Sequence, residues 1–183
     1  MPLIIKDPIS CGTQLGVWKK EEELDFLHSV FPLMPSEETE FKKIKNTSRK
    51  AEWLATRILL TELLEKRKII DYTRHGKPFL KEAGINISIS HCNHFVCIIS
   101  SNQYIPGIDV EQISSRVKKV THKFLTHTEL NWCVNLQQIT ACWSAKEAIF
   151  KVYEKELAFK EIEILPFTIE QDKANEWASK ILS

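Results

Sequence analysis

Glycine and proline are scarce in this chain: five and seven among 183 residues. That is too little for a fibrous repeat or a low-complexity linker, and no short-period repeat is visible. Long apolar runs are missing as well. The longest is Phe95 to Ile99, far below the ~20 residues of a membrane span. The opening MPLIIKDP contains no apolar core of the length a signal peptide needs. Charge of one sign is also lacking, since 25 Lys plus Arg stand against 24 Asp plus Glu, a formal net charge of +1. This balance argues against a surface built to grip nucleic acid or acidic lipid, so electrostatic recognition must be local. Five cysteines (Cys11, Cys92, Cys97, Cys133 and Cys142) form no CxxC pair and no zinc-ligand spacing. An odd, scattered set fits reduced thiols in a cytoplasm. No Walker motif, GxGxxG fingerprint or GxSxG nucleophile elbow occurs.

What is present is ordinary globular material, 43% hydrophobic and 27% charged, long enough for one large domain or two small ones. Residues 17–31 read as a helix, with Glu21 to Glu23 leading into Leu24, Leu27 and Val30. Ser36, followed by Glu37 and Glu38, reads as a helix start, because a serine cap accepts an orphan N–H and early acids suit the dipole. Trp53, Leu54, Ile58, Leu59 and Leu63 recur at helical spacing across 50–66. The middle changes period: Ile85, Ile87 and Ile89 alternate with Asn86 and Ser88, as in a half-buried strand. Strands are expected at 94–100, 104–112 and 161–167, and helices at 128–136 and 140–156. Segregated helices and largely antiparallel strands make the class α+β.

Two segments carry most of the chemistry. In PGIDVEQI, a strand would point Asp109 and Glu111 to one face and Ile108 and Val110 to the other. Two neighbouring carboxylates repel unless a cation or hydrogen-bond donors separate them. A hard divalent ion, Mg²⁺ above all, would relieve the conflict; a solvent-facing acidic pair is the plainer alternative. In WSAKEAIFK, a helix would stack Trp143, Glu147 and Lys151 one turn apart. Lys146 falls within the apolar stripe of that helix, so its ammonium needs a partner or a route to water. Glu147 and Lys151 also make an ordinary helix ion pair. His75-Gly76-Lys77-Pro78 reads as a turn carrying a cation, and Ser90 and His91 close the alternating strand where both side chains can reach an anion. Basic clusters at Lys42 to Lys50 and at Arg116, Lys118, Lys119 and Lys123 read as solvated faces.

In order, GKP (76–78), SISH (88–91), GIDVE (107–111), FLTHTE (124–129) and WSAKEAIFK (143–151) resemble the 4′-phosphopantetheinyl transferase superfamily. The GKP turn and chain length resemble its surfactin-synthetase-activating type. That resemblance implies a monomeric pseudo-dimer of two similar α+β halves, here residues 1–102 and 103–183, with the second half short. It implies transfer of the phosphopantetheine arm of coenzyme A to a serine of an apo acyl or peptidyl carrier protein. Asp109, Glu111 and Glu147 would hold Mg²⁺; Glu147 could instead be the base, directly or through water, and Glu129 is a second candidate for it. Lys151 would meet the pyrophosphate, while Gly76, Lys77, Pro78, Ser90 and His91 would line the coenzyme A site. Arg49, Lys50 and Arg57 are candidates for the arginine that usually precedes that site. Arg116, Lys118 and Lys119 could steer an acidic carrier.

Three departures from the family pattern stand out. Glu154-Lys155-Glu156-Leu157 replaces a glycine-containing turn, little sequence follows Phe167 for closing strands, and Cys92 stands where serine commonly follows the SH pair. The short second half makes a non-catalytic module binding coenzyme A or a carrier protein the alternative.

Overall fold

Gly12 adopts a φ of +71°, a left-handed conformation that glycine reaches without penalty. There the chain turns between β1 (Leu3–Ser10) and β2 (Thr13–Lys19). The computed structural model describes residues 3–81, 84–153 and 157–169. β5 (Asn86–His91) and β6 (Phe95–Ser101) form a second hairpin, and the two join as one antiparallel sheet in the order β1-β2-β6-β5. A two-stranded ribbon, β3 (Ile70–Tyr72) with β4 (Pro78–Leu80), carries the HGKP turn at its tip. Gly76 takes a φ of +82° in that turn, and the Thr73 N–H bonds the Lys77 carbonyl at 2.9 Å to close it.

Helix α3 (Thr47–Leu64) lies on the sheet after α1 (Leu24–Val30) and α2 (Pro35–Lys43). The Asn46 side chain caps it by accepting the Arg49 N–H at 3.0 Å. Its inner face, Leu54, Leu59, Leu60 and Leu63, packs with Trp18, Val96 and Ile98 in the first hydrophobic cluster. Gly16 lets helix and strand approach: a Cβ there would stand 2.9 Å from Leu59 Cδ1.

A second cluster gathers Phe124, Leu125, Cys133, Ile139 and Cys142, beneath Trp143, Phe159 and Phe167. It is built by α4 (Thr121–Phe124), α5 (His127–Leu130) and α6 (Leu136–Val152). At its centre Lys146 is fully buried beside an equally buried Glu129. The ammonium shares its three hydrogens among Glu129 Oε2 at 2.7 Å and the carbonyls of Phe124, Phe159 and Ile162 at 2.8, 3.0 and 2.6 Å. The lysine on the apolar stripe thus has its partner, as a buried charge requires.

The class is α+β, but several expected elements differ. Residues 17–19 belong to β2, and the helix expected from 17 starts only at Leu24. α2 begins at Pro35, where proline's missing N–H costs nothing. Ser36 therefore lies inside the helix, and Glu37 accepts the Met34 N–H at 3.0 Å. Residues 104–112 and 161–167 form no ladder among the described residues. Helix α6 stops at Val152, and Glu154 to Glu156, with most of the departing turn, lie outside the described residues. No described helix is long and apolar enough to cross a membrane.

Candidate functional site

The segment after β6 runs along β5 without pairing to its backbone. Instead the Ile108 and Val110 N–H groups donate to the Ser88 and Ser90 hydroxyls, both at 3.2 Å. Serines at alternate positions of β5 share a face, so Ser88 and Ser90 offer two side-chain acceptors where a strand ladder was expected. The Ser90 hydroxyl in turn donates to Asp109 Oδ1 at 2.8 Å. On the other side the segment presses against α6. A Cβ at Gly107 would fall 2.1 Å from the Ala148 carbonyl oxygen, so the glycine of GIDVE is required by close approach.

That approach delivers the acids to the Trp143-Glu147-Lys151 stripe. Lys151 Nζ donates to Asp109 Oδ1 at 2.9 Å and to the Ile108 carbonyl at 2.8 Å. Trp143 Nε1 donates to Glu111 Oε1 at 3.0 Å. Glu147 lies between these two contacts on the helix. Burial pushes its carboxyl above the usual carboxylate range, and the charges of Asp109 and Glu111 add to this against the pull of Lys151. The Asp109 side chain is 7% exposed, and its Oδ2 is buried without a hydrogen-bond partner. An all-oxygen set of like charges with one orphaned oxygen fits a hard divalent cation. Among the described residues, however, no three His, Cys, Asp or Glu groups stand close enough to enclose one. The cation beside Asp109 is Lys151.

Two cavities open on this stripe, and another lies between them. The first, about 260 Å³, is lined by Gly76, Lys77, Pro78, Ser88, Glu147 and Lys151. The second, about 390 Å³, shares Gly76, Pro78 and Ile89 with it and extends to Arg49, Trp53 and His91. The third, about 470 Å³, meets the second at His91 and is bounded by Glu111, Arg116 and Trp143. Residues remote in sequence, from the HGKP turn, β5 and α6, therefore share one groove.

The other candidates are distributed as follows. Ser90 faces Asp109 and the Val110 N–H and is 6% exposed. Glu129 is not brought to the groove: its oxygens accept the Thr126 and Ile164 N–H groups at 2.7 and 2.8 Å, besides Lys146. Burial raises its carboxyl, but the bonds from Lys146, Ile164 and Thr126 outweigh this and hold it below the usual range. Of the three N-terminal bases, Arg49 and Arg57 both line the second cavity, and Arg49 Nη1 lies 2.9 Å from His91 Nε2. Arg57 is 2% exposed, stacked 3.2 Å over the Trp53 ring and paired with Glu37 and Glu40. Lys50 lies over Phe41. Burial lowers the His91 imidazole; Arg49, Lys20 and Lys151 add to that, and Glu52 opposes it. Sequence reading missed Glu52 and Lys20, although Arg49 and Glu52 stand at the spacing of a helical ion pair.

Part of the chain is similar to known proteins. Two curated relatives, each named 4′-phosphopantetheinyl transferase AcpT, come from Salmonella typhimurium and Escherichia coli O157:H7. Both are 30% identical over 112 residues, which is 56% of this chain and 58% or 57% of theirs. The chain thus matches less than two thirds of the length of either relative. The pattern that defines the 4′-phosphopantetheinyl transferase superfamily matches residues 106–180, the stretch that carries Asp109, Glu111, Glu147 and Lys151.

Proposed function

We propose that this chain is a Mg²⁺-dependent 4′-phosphopantetheinyl transferase of the surfactin-synthetase-activating type. It moves the phosphopantetheine arm of coenzyme A to a serine of an apo acyl or peptidyl carrier protein and releases adenosine 3′,5′-bisphosphate. It acts as a cytoplasmic monomer built from two fused halves, 1–102 and 103–183. The separation of the hydrophobic clusters, one within residues 18–98 and the other within 117–167, supports that division. The observation that carries the functional reading is the sharing of one groove by the GKP turn, Glu147 and Lys151.

Each side chain then has a task. Gly76 and Pro78 shape the wall beside the nucleotide, and Lys77, His91 and Arg49 meet its phosphates. Two cavities joined at Gly76 and Pro78 suit a ligand with phosphate groups at separate points. Asp109, Glu111 and Glu147 would hold Mg²⁺, whose chemistry is to neutralise the pyrophosphate and polarise it. The carrier serine oxygen bonds to the phosphorus that bears the pantetheine arm, and the bridging P–O bond to the adenosine phosphate breaks. With Glu147 given to the metal, the serine proton leaves through a water beside that carboxylate. Lys151 stabilises charge gathering on the leaving phosphate. Arg116, Lys118 and Lys119 steer the acidic carrier toward the third cavity.

The test is incubation with coenzyme A, Mg²⁺ and a panel of apo carrier proteins, read by mass spectrometry of the carrier. A phosphopantetheine adduct is expected. Tight coenzyme A binding with no adduct on any carrier would instead assign a binding module.

A further inference from the structure

One carboxylate in the groove has no part in the reaction above, yet three cationic or basic side chains converge on it. Glu52, on the second turn of α3, has a side chain 13% exposed. Its Oε1 lies 2.7 Å from Arg49 Nη1 and 3.1 Å from His91 Nε2, and its Oε2 lies 3.3 Å from Lys20 Nζ. The three partners come from different elements: Lys20 follows β2, Arg49 opens α3 and His91 ends β5. Lys20 is itself pinned, its N–H donating to the His94 carbonyl at 2.8 Å.

We infer that Glu52 is a positioning residue that gathers Lys20, Arg49 and His91 into one preformed phosphate-binding face at the far end of the groove. The inference rests on the proposed coenzyme A reading and deepens it. A carboxylate in an anion site repels the anion unless cations outnumber it, and here two fixed cations face one acid. Without Glu52 the Arg49 guanidinium, whose side chain is 62% exposed, keeps only its contact with His91 Nε2, and like charges drive it away from Lys20. Both groups beside His91 Nε2 are served by one nitrogen: as an acceptor it takes the Arg49 N–H, and as an N–H it donates to Glu52. Glu52 thus sets geometry that the phosphate then reads, and the ligand need not order three side chains for itself.

The experiment measures calorimetric binding of coenzyme A and of 3′-dephospho-coenzyme A to the full chain, with transfer kinetics beside it. Glu52→Ala is expected to weaken coenzyme A binding by about ten- to a hundredfold and to raise KM while kcat at saturation holds. The dephospho ligand should lose little. Glu52→Gln keeps the size and one acceptor, so it should fall between the two and carries the test if the alanine variant does not fold. Glu38→Ala, which breaks only an exposed pair with Lys42, should change nothing. Unchanged coenzyme A affinity in both Glu52 variants, or equal loss for both ligands, overturns the inference while leaving the transferase reading intact. Failure of the unaltered chain to bind either ligand overturns both.

Discussion

Replacing Lys146 by methionine tests the keystone beneath the site. Methionine matches the aliphatic stem but removes the charge and its hydrogens. Lys146 and Glu129 are both fully buried, 2.7 Å apart. The change therefore strands a carboxylate and removes the donor from the Phe124, Phe159 and Ile162 carbonyls. Breaking one side of a buried pair costs about 3–5 kcal/mol, because the surviving charge stays desolvated. Urea unfolding at about pH 7 should show that loss. A second change, Glu129→Gln, removes the stranded charge and should restore about 1–3 kcal/mol, since the pair is coupled and its losses do not add. The pH dependence has a definite sign. In the unaltered chain Glu129 is held below its ordinary value of 4.5, so its contribution is complete above that value and drains away only as pH falls through the lower folded value. In Lys146→Met burial prevails and the carboxyl takes up its proton at higher pH, so the deficit should narrow as pH falls from about 7 to about 4.5. A deficit under ~1 kcal/mol, or one that stays constant over that range, refutes the reasoning.

Gly107→Ala should push the acid segment off α6, because the new Cβ would lie 2.1 Å from the Ala148 oxygen and 2.8 Å from Val152 Cγ2. The expected cost is about 1–3 kcal/mol by urea unfolding, with weaker coenzyme A binding; a variant unchanged in both would dismiss the close-approach argument. Asp109→Asn should fold normally, yet lose both transfer and the rise in Tm that Mg²⁺ with coenzyme A gives the unaltered chain. A full rate in that variant would remove Asp109 from the metal assignment. Ser90→Ala leaves the Val110 N–H without its acceptor and Asp109 without its hydroxyl, for about 1–3 kcal/mol of stability. Ser88→Ala should cost similarly but spare Mg²⁺ affinity, and equal effects of the two on Mg²⁺ affinity would deny Ser90 its hold on Asp109.

Local rules succeeded where one signal dominated. Isoleucines at 85, 87 and 89 mark β5, and the leucine-rich spacing of 54–63 marks α3. The stripe Trp143-Glu147-Lys151 was legible from helical spacing alone, and the buried Lys146 from its place among apolar neighbours. β2 escaped because the face it turns to α3 has only Gly16 and Trp18 as buried residues. One is a glycine pressed against Leu59, so the period of two is broken where packing is tightest. β3 and β4 are three residues each, too short for any period. Glu129 is the instructive case. Its place in Thr126-His127-Thr128-Glu129 is a capping-box signature, and the structure uses it so, with the Glu129 N–H on Thr126 Oγ1 at 3.2 Å. The acid's helix-start role was written in the spacing, but the buried lysine that claims its remaining capacity lies 17 residues away.

The segment 106–112 explains why the acids were easier to find than their geometry. Alternation puts Asp109 and Glu111 on one face in any extended chain, but it does not say what the chain is bonded to. A backbone ladder would have fixed the segment through its own carbonyls. Bonding to Ser88 and Ser90 leaves those carbonyls free, and Lys151 uses one of them, that of Ile108. The same lysine therefore ties down both the backbone and the carboxylate of the acid segment. The serine hydroxyls have donors to spend as well, and Ser90 spends its own on Asp109. Replacing strand pairing by side-chain pairing thus turns a structural seam into a place where a carboxylate is aimed, with Oδ1 doubly held by Ser90 and Lys151 and Oδ2 without a partner.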